Sequence, residues 1–348
     1  MLETTRKPVT LRDVALRVGI DMATASRALN GKKHISPATR DAVLKAAQDL
    51  GYQPDLHAQR LANGRSHNLV SLFPYSDLGV GARLAKFLNH RLDEIGVEVE
   101  IHTPPSYVSN FEQRQAAMVN KVRRQRPSVI IFDSPLLASS AVNELRLYME
   151  EGGMVVSYGM PVDLKCDQVQ FEIEPRAYMA ARHLLELGHR DIGLCFHGPF
   201  SSKSLEYQGF ARALKKWDVP LQEKWMFKGG DYEVGGARLA EAFLSWPEKP
   251  TGLCIINDVS ASAFIATLAR HGLSVPGDIS VVGFDNEPAA RHGLVPLTTV
   301  TYPLELIGSR IVEFTQTRLQ GYNGLPREVS IESELITRNS SAPFLRNS

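Results

Sequence analysis

The sequence predicts a small all-α helix-turn-helix domain followed by a larger α/β domain of two lobes, and three observations carry that expectation. The first is length, since 348 residues exceed the roughly 100–200 that one domain usually holds. The second is texture: residues 10–50 show short, capped helix patterns, whereas strand and helix patterns alternate after Gly64-Arg65-Ser66. The third is charge. Residues 1–66 carry 11 Lys+Arg against 6 Asp+Glu and the remainder 28 against 32, so the net charge of +1 conceals a basic head on a mildly acidic body. Such a head suits a polyanionic partner.

Within the head, Thr10 with Asp13 three residues on resembles a capping box, which satisfies the free N–H groups of a first helical turn. Val14, Ala15 and Val18 then form one apolar face, and Gly19 suits the left-handed conformation that ends a helix. Asp21 caps a second helix over 22–30, with Ala25 and Leu29 at i, i+4 on its inner side. Ser36 and Pro37 are an N-cap and first-turn pair opening a third helix. On it Val43, Ala46, Ala47 and Leu50 face inward before Gly51 closes it. Only Gly19-Ile20 separate the first two helices, so they must cross steeply, as in a helix-turn-helix.

In the body, strands are expected over 69–73, 97–102, 129–132, 154–157, 192–196, 252–256 and 280–284. Helices are expected over 82–95, 110–125, 175–187, 204–217, 234–244 and 260–271. Strand and helix alternating through short loops imply parallel sheets covered on both faces. The run is too long for one open sheet of ordinary size and divides into two lobes.

Several function classes lose support. Residues 1–8 lack the apolar run of a secretory signal and no stretch reaches the roughly 18 apolar residues of a membrane span, so a cytoplasmic protein without membrane contact is expected. Cys166, Cys195 and Cys254 are far apart and odd in number, which argues against a disulfide framework or a zinc site, and the last two read as buried thiols. Gly79-Val80-Gly81 lacks the third glycine of a dinucleotide loop, where Leu84 stands. Nucleophile-elbow and zinc-protease motifs are missing, and Ser201-Ser202 read as loop or ligand contacts. No catalytic residue, metal or cofactor is therefore assigned.

A major groove admits one α-helix, whose N-terminal side chains reach base edges while flanking groups hold phosphates. On the second helix Met22, Ala23 and Arg27 project away from Ala25 and Leu29. Arg27 suits guanine O6 and N7, and Met22 and Ala23 offer apolar contact such as to a thymine methyl. Thr24, Ser26, Asn30 and His34 are polar groups suited to phosphate, and Thr10, Arg12 and Tyr52 are counted among the DNA contacts. Residues 55–63, closed by Gly64, form only about two helical turns, too few to be stable alone in water. A hinge helix ordered on DNA against its twin explains Ala58, Leu61 and Ala62 on one side, with Leu61 as a wedge between base steps.

Four runs of the head resemble the lactose/galactose repressor (LacI/GalR) family. They are Val9-Thr10-Leu11-Arg12-Asp13-Val14-Ala15, Thr24-Ala25-Ser26-Arg27-Ala28-Leu29-Asn30-Gly31, Ile35-Ser36-Pro37-Ala38-Thr39-Arg40 and Leu50-Gly51-Tyr52-Gln53-Pro54. The likeness continues in Leu187-Gly188-His189-Arg190-Asp191-Ile192-Gly193, in Val275-Pro276-Gly277-Asp278-Ile279-Ser280-Val281-Val282-Gly283-Phe284-Asp285, in Pro296-Leu297-Thr298-Thr299-Val300 and in Leu335-Ile336-Thr337-Arg338-Asn339-Ser340. The resemblance implies a type I periplasmic-binding-protein-like body and a homodimer or higher oligomer on a pseudo-palindromic operator in double-stranded DNA. It also implies a small-molecule effector, most often carbohydrate. The expected division is a DNA-binding domain at 1–54, a hinge at 55–66, an effector and dimerisation domain at 67–340 and a tail at 341–348. Lobe 1 is placed at 67–158 and 288–318, and lobe 2 at 159–287 and 319–340.

Ligands of open α/β sheets bind beyond the carboxyl ends of strands, where Asn257-Asp258, Asp285-Asn286 and Tyr158 stand. Asn257, Asp285 and Tyr232 match effector-contacting positions by resemblance, and Tyr75, Tyr158 and Tyr302 join them as candidates. Asp258 is better read as a helix cap. Two departures from the family stand out. Asp21 replaces the usual Ser, which puts a phosphate contact there in doubt. Glu206 replaces an Arg that many sugar-binding members carry before Gly209-Phe210, which disfavours an acidic effector. Alternatives to an effector-controlled repressor are a regulator governed by a partner protein and an exported sugar-binding protein.

Overall fold

The computed structural model describes residues 9–29, 35–52, 66–74, 76, 78–103, 110–135, 137–197, 204–229 and 232–345. Expectations for Asn30, His34, the hinge helix with Ala58, Leu61 and Ala62, Tyr75, and Ser201-Ser202 lie outside these residues. The chain divides into two compact units, Met1–Ser66 and His67–Ser348.

In the first unit, α1 (Leu11–Val18), α2 (Met22–Leu29) and α3 (Pro37–Leu50) enclose Val14, Ala28, Val43, Ala46 and Ala47. Each helix starts and stops for local reasons. Asp13 Oδ2 accepts the Thr10 backbone N–H at 2.8 Å and its hydroxyl at 2.7 Å. Ser36 Oγ accepts the Thr39 N–H at 3.1 Å, with Pro37 in the first turn. Gly19 turns the chain out of α1 at φ +75°, a conformation that costs glycine nothing sterically. On α2 the fully enclosed pair is Ala25 and Ala28, while Leu29, expected as the inner partner of Ala25, is only partly covered.

The second unit holds two six-stranded sheets. The first contains β1 (Ser66–Phe73), β2 (Glu98–Ile101), β3 (Pro127–Asp133), β4 (Met154–Gly159), β5 (Asp167–Phe171) and β11 (Glu328–Ile331), in the order β11-β5-β4-β3-β1-β2. The second contains β6 (Ile192–His197), β7 (Met226–Gly229), β8 (Gly252–Ile255), β9 (Ser280–Asp285), β10 (Thr298–Thr301) and β12 (Leu335–Ile336), in the order β12-β10-β9-β8-β6-β7. Of the strand pairs described, β10 with β12 is antiparallel, and β1–β2, β3–β4, β4–β5, β5–β11, β6–β7, β6–β8, β8–β9 and β9–β10 are parallel.

Helices cover both faces of each sheet, as parallel sheets require. On the first sheet, α4 (Gly79–Asp93) and α12 (Leu304–Leu319) set Leu84, Leu88, Leu92, Ile307 and Ile311 against one face. On its other face, α5 (Phe111–Gln125) and α6 (Ser139–Glu150) bring Val119, Val122, Leu145 and Tyr148. On the second sheet, α7 (Ile173–Glu186) and α8 (Leu205–Lys216) contribute Leu184, Phe210 and Leu214. Opposite them lie α9 (Tyr232–Ser245) and α10 (Asp258–Arg270), with Leu239, Phe243, Phe264 and Leu268. The short α11 (Pro288–His292) follows β9.

Two expectations are corrected. The lobe boundaries shift, because β5 and β11 belong to the first sheet and β10 to the second. The chain therefore crosses between lobes after β5, after β10 and after β11, later in each case than expected. The strand β5, which lies between β11 and β4 in the first sheet, is polar at its start. Asp167 is fully buried there, bound by Arg318 Nε and Nη2 at 2.8 Å and by Arg327 Nη2 at 2.7 Å. The tail expected from 341 on is docked as far as Phe344, whose N–H donates to Leu187 O at 2.8 Å, and His189 Nε2 meets Ala342 O at 3.0 Å.

Candidate functional site

The head presents one face of α2 outward. Met22, half exposed, Ala23 and Arg27 lie on it, opposite the buried Ala25 and Ala28. Thr10 and Arg12 at the start of α1 are also exposed, and Tyr52 is half-buried against the head core. Asp21 caps α2: its Oδ1 accepts the Thr24 N–H at 2.8 Å and its Oδ2 accepts the Thr24 hydroxyl at 2.7 Å. Those two hydrogen bonds hold the Asp21 carboxyl below the usual carboxylate range, so its negative charge persists at the start of α2. The Thr24 hydroxyl, a candidate for phosphate, is turned to this carboxylate, while Ser26 is half-buried on the flank of α2.

In the second unit the candidates gather at the carboxyl ends of the two sheets. Asp133 and Tyr158 lie at the ends of β3 and β4, Asp285 ends β9, Asn257 follows β8 and Tyr302 follows β10. Strain marks the same places. Tyr232, Asn257, Asp285 and Asn286 have φ of +41°, +80°, +101° and +55°, four of the seven non-glycine residues in that region among the described residues. Such conformations persist only where surroundings hold them, and they concentrate at ligand sites.

Asn257 and Tyr232 have identifiable supports. Asn257, not Asp258, is the cap of α10: its Oδ1 accepts the Ser260 N–H at 2.8 Å. Asp258 turns inward instead, accepting the Thr299 hydroxyl at 2.7 Å and the Glu287 N–H at 2.8 Å, and burial raises its pKa well above the usual range. The Tyr232 carbonyl accepts the Ser260 hydroxyl at 2.8 Å, and the Tyr232 ring lies against Gly79 at the start of α4. Gly79 has φ +54°, where a side chain is strained, and a Cβ on it would stand 2.9 Å from Tyr232 Cε1, so glycine suits this contact. Arg83 of α4 adds an ion pair to Glu287 at 3.0 Å.

Sequence reasoning did not single out Arg176, in the first turn of α7. Its Nη2 donates to Asp285 Oδ1 at 2.7 Å and to Val300 O at 3.3 Å. A guanidinium thus reaches this cluster although Glu206, half-buried in the first turn of α8, stands where an Arg was sought. The signal was an Arg four and eight positions before Ala180 and Leu184, on the same face of the helix as those apolar residues. Burial drives the Asp133 carboxyl up to about 8 against the opposing pull of the Tyr158 hydroxyl. Burial, then the neighbouring Asp133, raises the Tyr302 hydroxyl well above its ordinary value. Among the described residues no group of three or more His, Cys, Asp or Glu is placed to hold a metal ion, and no helix is long and apolar enough to cross a membrane. Gly79 and Gly81 lie in the first turn of α4, Gly81 close against Ser76.

Comparison with known proteins agrees with this division. A model of bacterial regulatory proteins of the lacI family matches residues 10–55, and one of the periplasmic binding protein-like domain matches residues 181–341. The HTH-type transcriptional regulator DegA of Bacillus subtilis (strain 168) is 27% identical over 339 residues, covering 96% of this chain and 98% of that protein. The HTH-type transcriptional repressor PurR of Vibrio vulnificus (strain CMCP6) is 26% identical over 343 residues, covering 95% of this chain and 98% of that one. A crystal structure of the lac repressor dimer bound to operator and the anti-inducer ONPF superposes with a TM-score of 0.80 at 26% identity. It covers 97% of this chain and all of that one.

Proposed function

We propose that this chain, whose residues 10–55 match the lacI family of bacterial regulatory proteins and whose residues 181–341 match the periplasmic binding protein-like domain, represses transcription in the cytoplasm as a homodimer on a pseudo-palindromic operator. The observation that carries this reading is the outward face of α2, where Arg27, Met22 and Ala23 stand clear of the head core on a helix capped at its start. A helix so presented fits a major groove, Arg27 taking a guanine edge and the two apolar residues a thymine methyl. The relative bound to operator as a dimer supports the same use. Catalysis has no part in this reading.

The cleft between the sheets is the effector site, with Tyr232, Asn257 and Asp285 as its core and Tyr158 and Tyr302 beside them. The clustered strain supports it, as does the anti-inducer in the related repressor. A carbohydrate is the effector class expected. Binding shifts the population of lobe arrangements, and it does so only by as much as the effector prefers one of them. The test is operator affinity measured by fluorescence anisotropy while a carbohydrate panel is titrated. One sugar that changes the affinity at least tenfold establishes control, and a flat response to the whole panel refutes it. A second reading, control by a partner protein, gains from one observation: Asp285 is already engaged by Arg176.

A further inference from the structure

The surroundings of Arg176 are those of a bound cation. Its guanidinium carbon lies 4.9 Å from the centre of the Phe171 ring, 5.4 Å from that of Phe284 and 6.0 Å from that of Tyr302. Phe171 and Tyr302 meet edge to face at 4.6 Å and belong to the core of the first lobe, whereas Phe284 belongs to the core of the second. The Asp285 carboxylate closes the box at 2.7 Å, and Arg176 is only 8% exposed. Aromatic faces around a planar cation with a carboxylate at its edge are how proteins hold guanidinium and ammonium ligands. Here the cation is part of the chain.

As a way of filling a core this arrangement is inefficient. Desolvating both charges offsets much of their attraction, and the buried Arg176 Nε–H meets no acceptor. What the pair does achieve is a tie, because its aromatic partners come partly from one lobe and its carboxylate from the other.

We infer that Arg176 is a tethered occupant of the Asp285 subsite. It fills the place that a guanidinium or another N–H-rich cation would take, ties the two lobes together and withdraws Asp285 from an incoming effector. The inference rests on the reading of this cleft as the effector site. Removing the side chain should therefore create a receptor for a free guanidinium.

The experiment compares the full-length protein, its Arg176→Ala variant and the double variant Arg176→Ala with Asp285→Asn. Thermal unfolding is followed with and without about 10 mM methylguanidinium, methylammonium serving as control. The expected result is a Tm raised by at least about 2 °C in Arg176→Ala alone, with the other two proteins indifferent. No rise in that variant, or an equal rise in all three, overturns the inference. Should Arg176→Ala not fold unaided, refolding with methylguanidinium makes the same comparison: recovery supports the tethered occupant and no recovery refutes it. Operator binding measured on the same samples keeps the two readings apart. Rescue without operator recognition sinks the regulator alone, and operator recognition without rescue sinks the occupant alone.

Discussion

Arg27 and Asp133 are the side chains whose surroundings make the sharpest demands on experiment. Arg27 is exposed on α2 and, as a reader of a base edge, contributes discrimination and not only attraction. Arg27→Ala is expected to weaken operator binding by about 1–3 kcal/mol while leaving random duplex nearly unaffected. Anisotropy titrations against both duplexes check this, and equal losses on the two would assign Arg27 to phosphate. For Asp133, burial drives the folded-state pKa up to about 8, far above the unfolded value near 3.9. Between those values the folded chain keeps a proton that the unfolded chain has released, so stability falls as pH rises through that window. Asp133→Asn removes this dependence. Its urea midpoint, relative to that of the parent, should gain progressively from about pH 5 to about pH 8, and parallel curves would show that the carboxyl ionises freely. At this scale the helix caps were legible, because Ser36 and Asp21 act on backbone within three residues. Arg176 was not, since its partners Phe284 and Asp285 lie more than a hundred positions away.

Among the elements, two cases show what local pattern reveals and what it hides. The helices of the head and most strands of the body follow from hydrophobic period and flanking turns, and their observed ends differ from expectation by a few residues. The strand β5 reads Asp-Gln-Val-Gln-Phe and looks like a polar loop. It is a buried strand because Arg318 and Arg327 satisfy Asp167 and because Gln168 bonds to Val162 on both its N–H and carbonyl. Asp167→Ala would leave two guanidinium groups unpaired beside the core and should destabilise the body by about 3–5 kcal/mol in urea unfolding. A loss below about 1 kcal/mol would mean that the triad is solvated. The pair α7 and α8 depends on close approach: a Cβ on Gly209 would stand 2.1 Å from Glu174 O. Gly209→Ala must push the helices apart and is expected to cost about 1–3 kcal/mol, a typical overpacking penalty, readable in the same unfolding experiment.

For the molecule as a whole, the two-unit plan was legible from the change of texture and charge after residue 66, and so were the two lobes of the body, but the places where the chain passes between them were not. Strand membership is decided by pairings: β11 joins the distant β5, Glu328 opposite Gln168, whereas β10 joins its neighbour in sequence, β9. Nothing local in Thr298-Thr299-Val300-Thr301 says which sheet it enters. Sequence recognition by the basic head and its outward helix is tested by selection of the full-length protein against randomised duplexes at about 150 mM salt. Enrichment of a two-fold symmetric site, bound at least about 10³ times more tightly than shuffled duplex, is the predicted result. Recovery of no sequence, with equal affinity for every duplex, would contradict it.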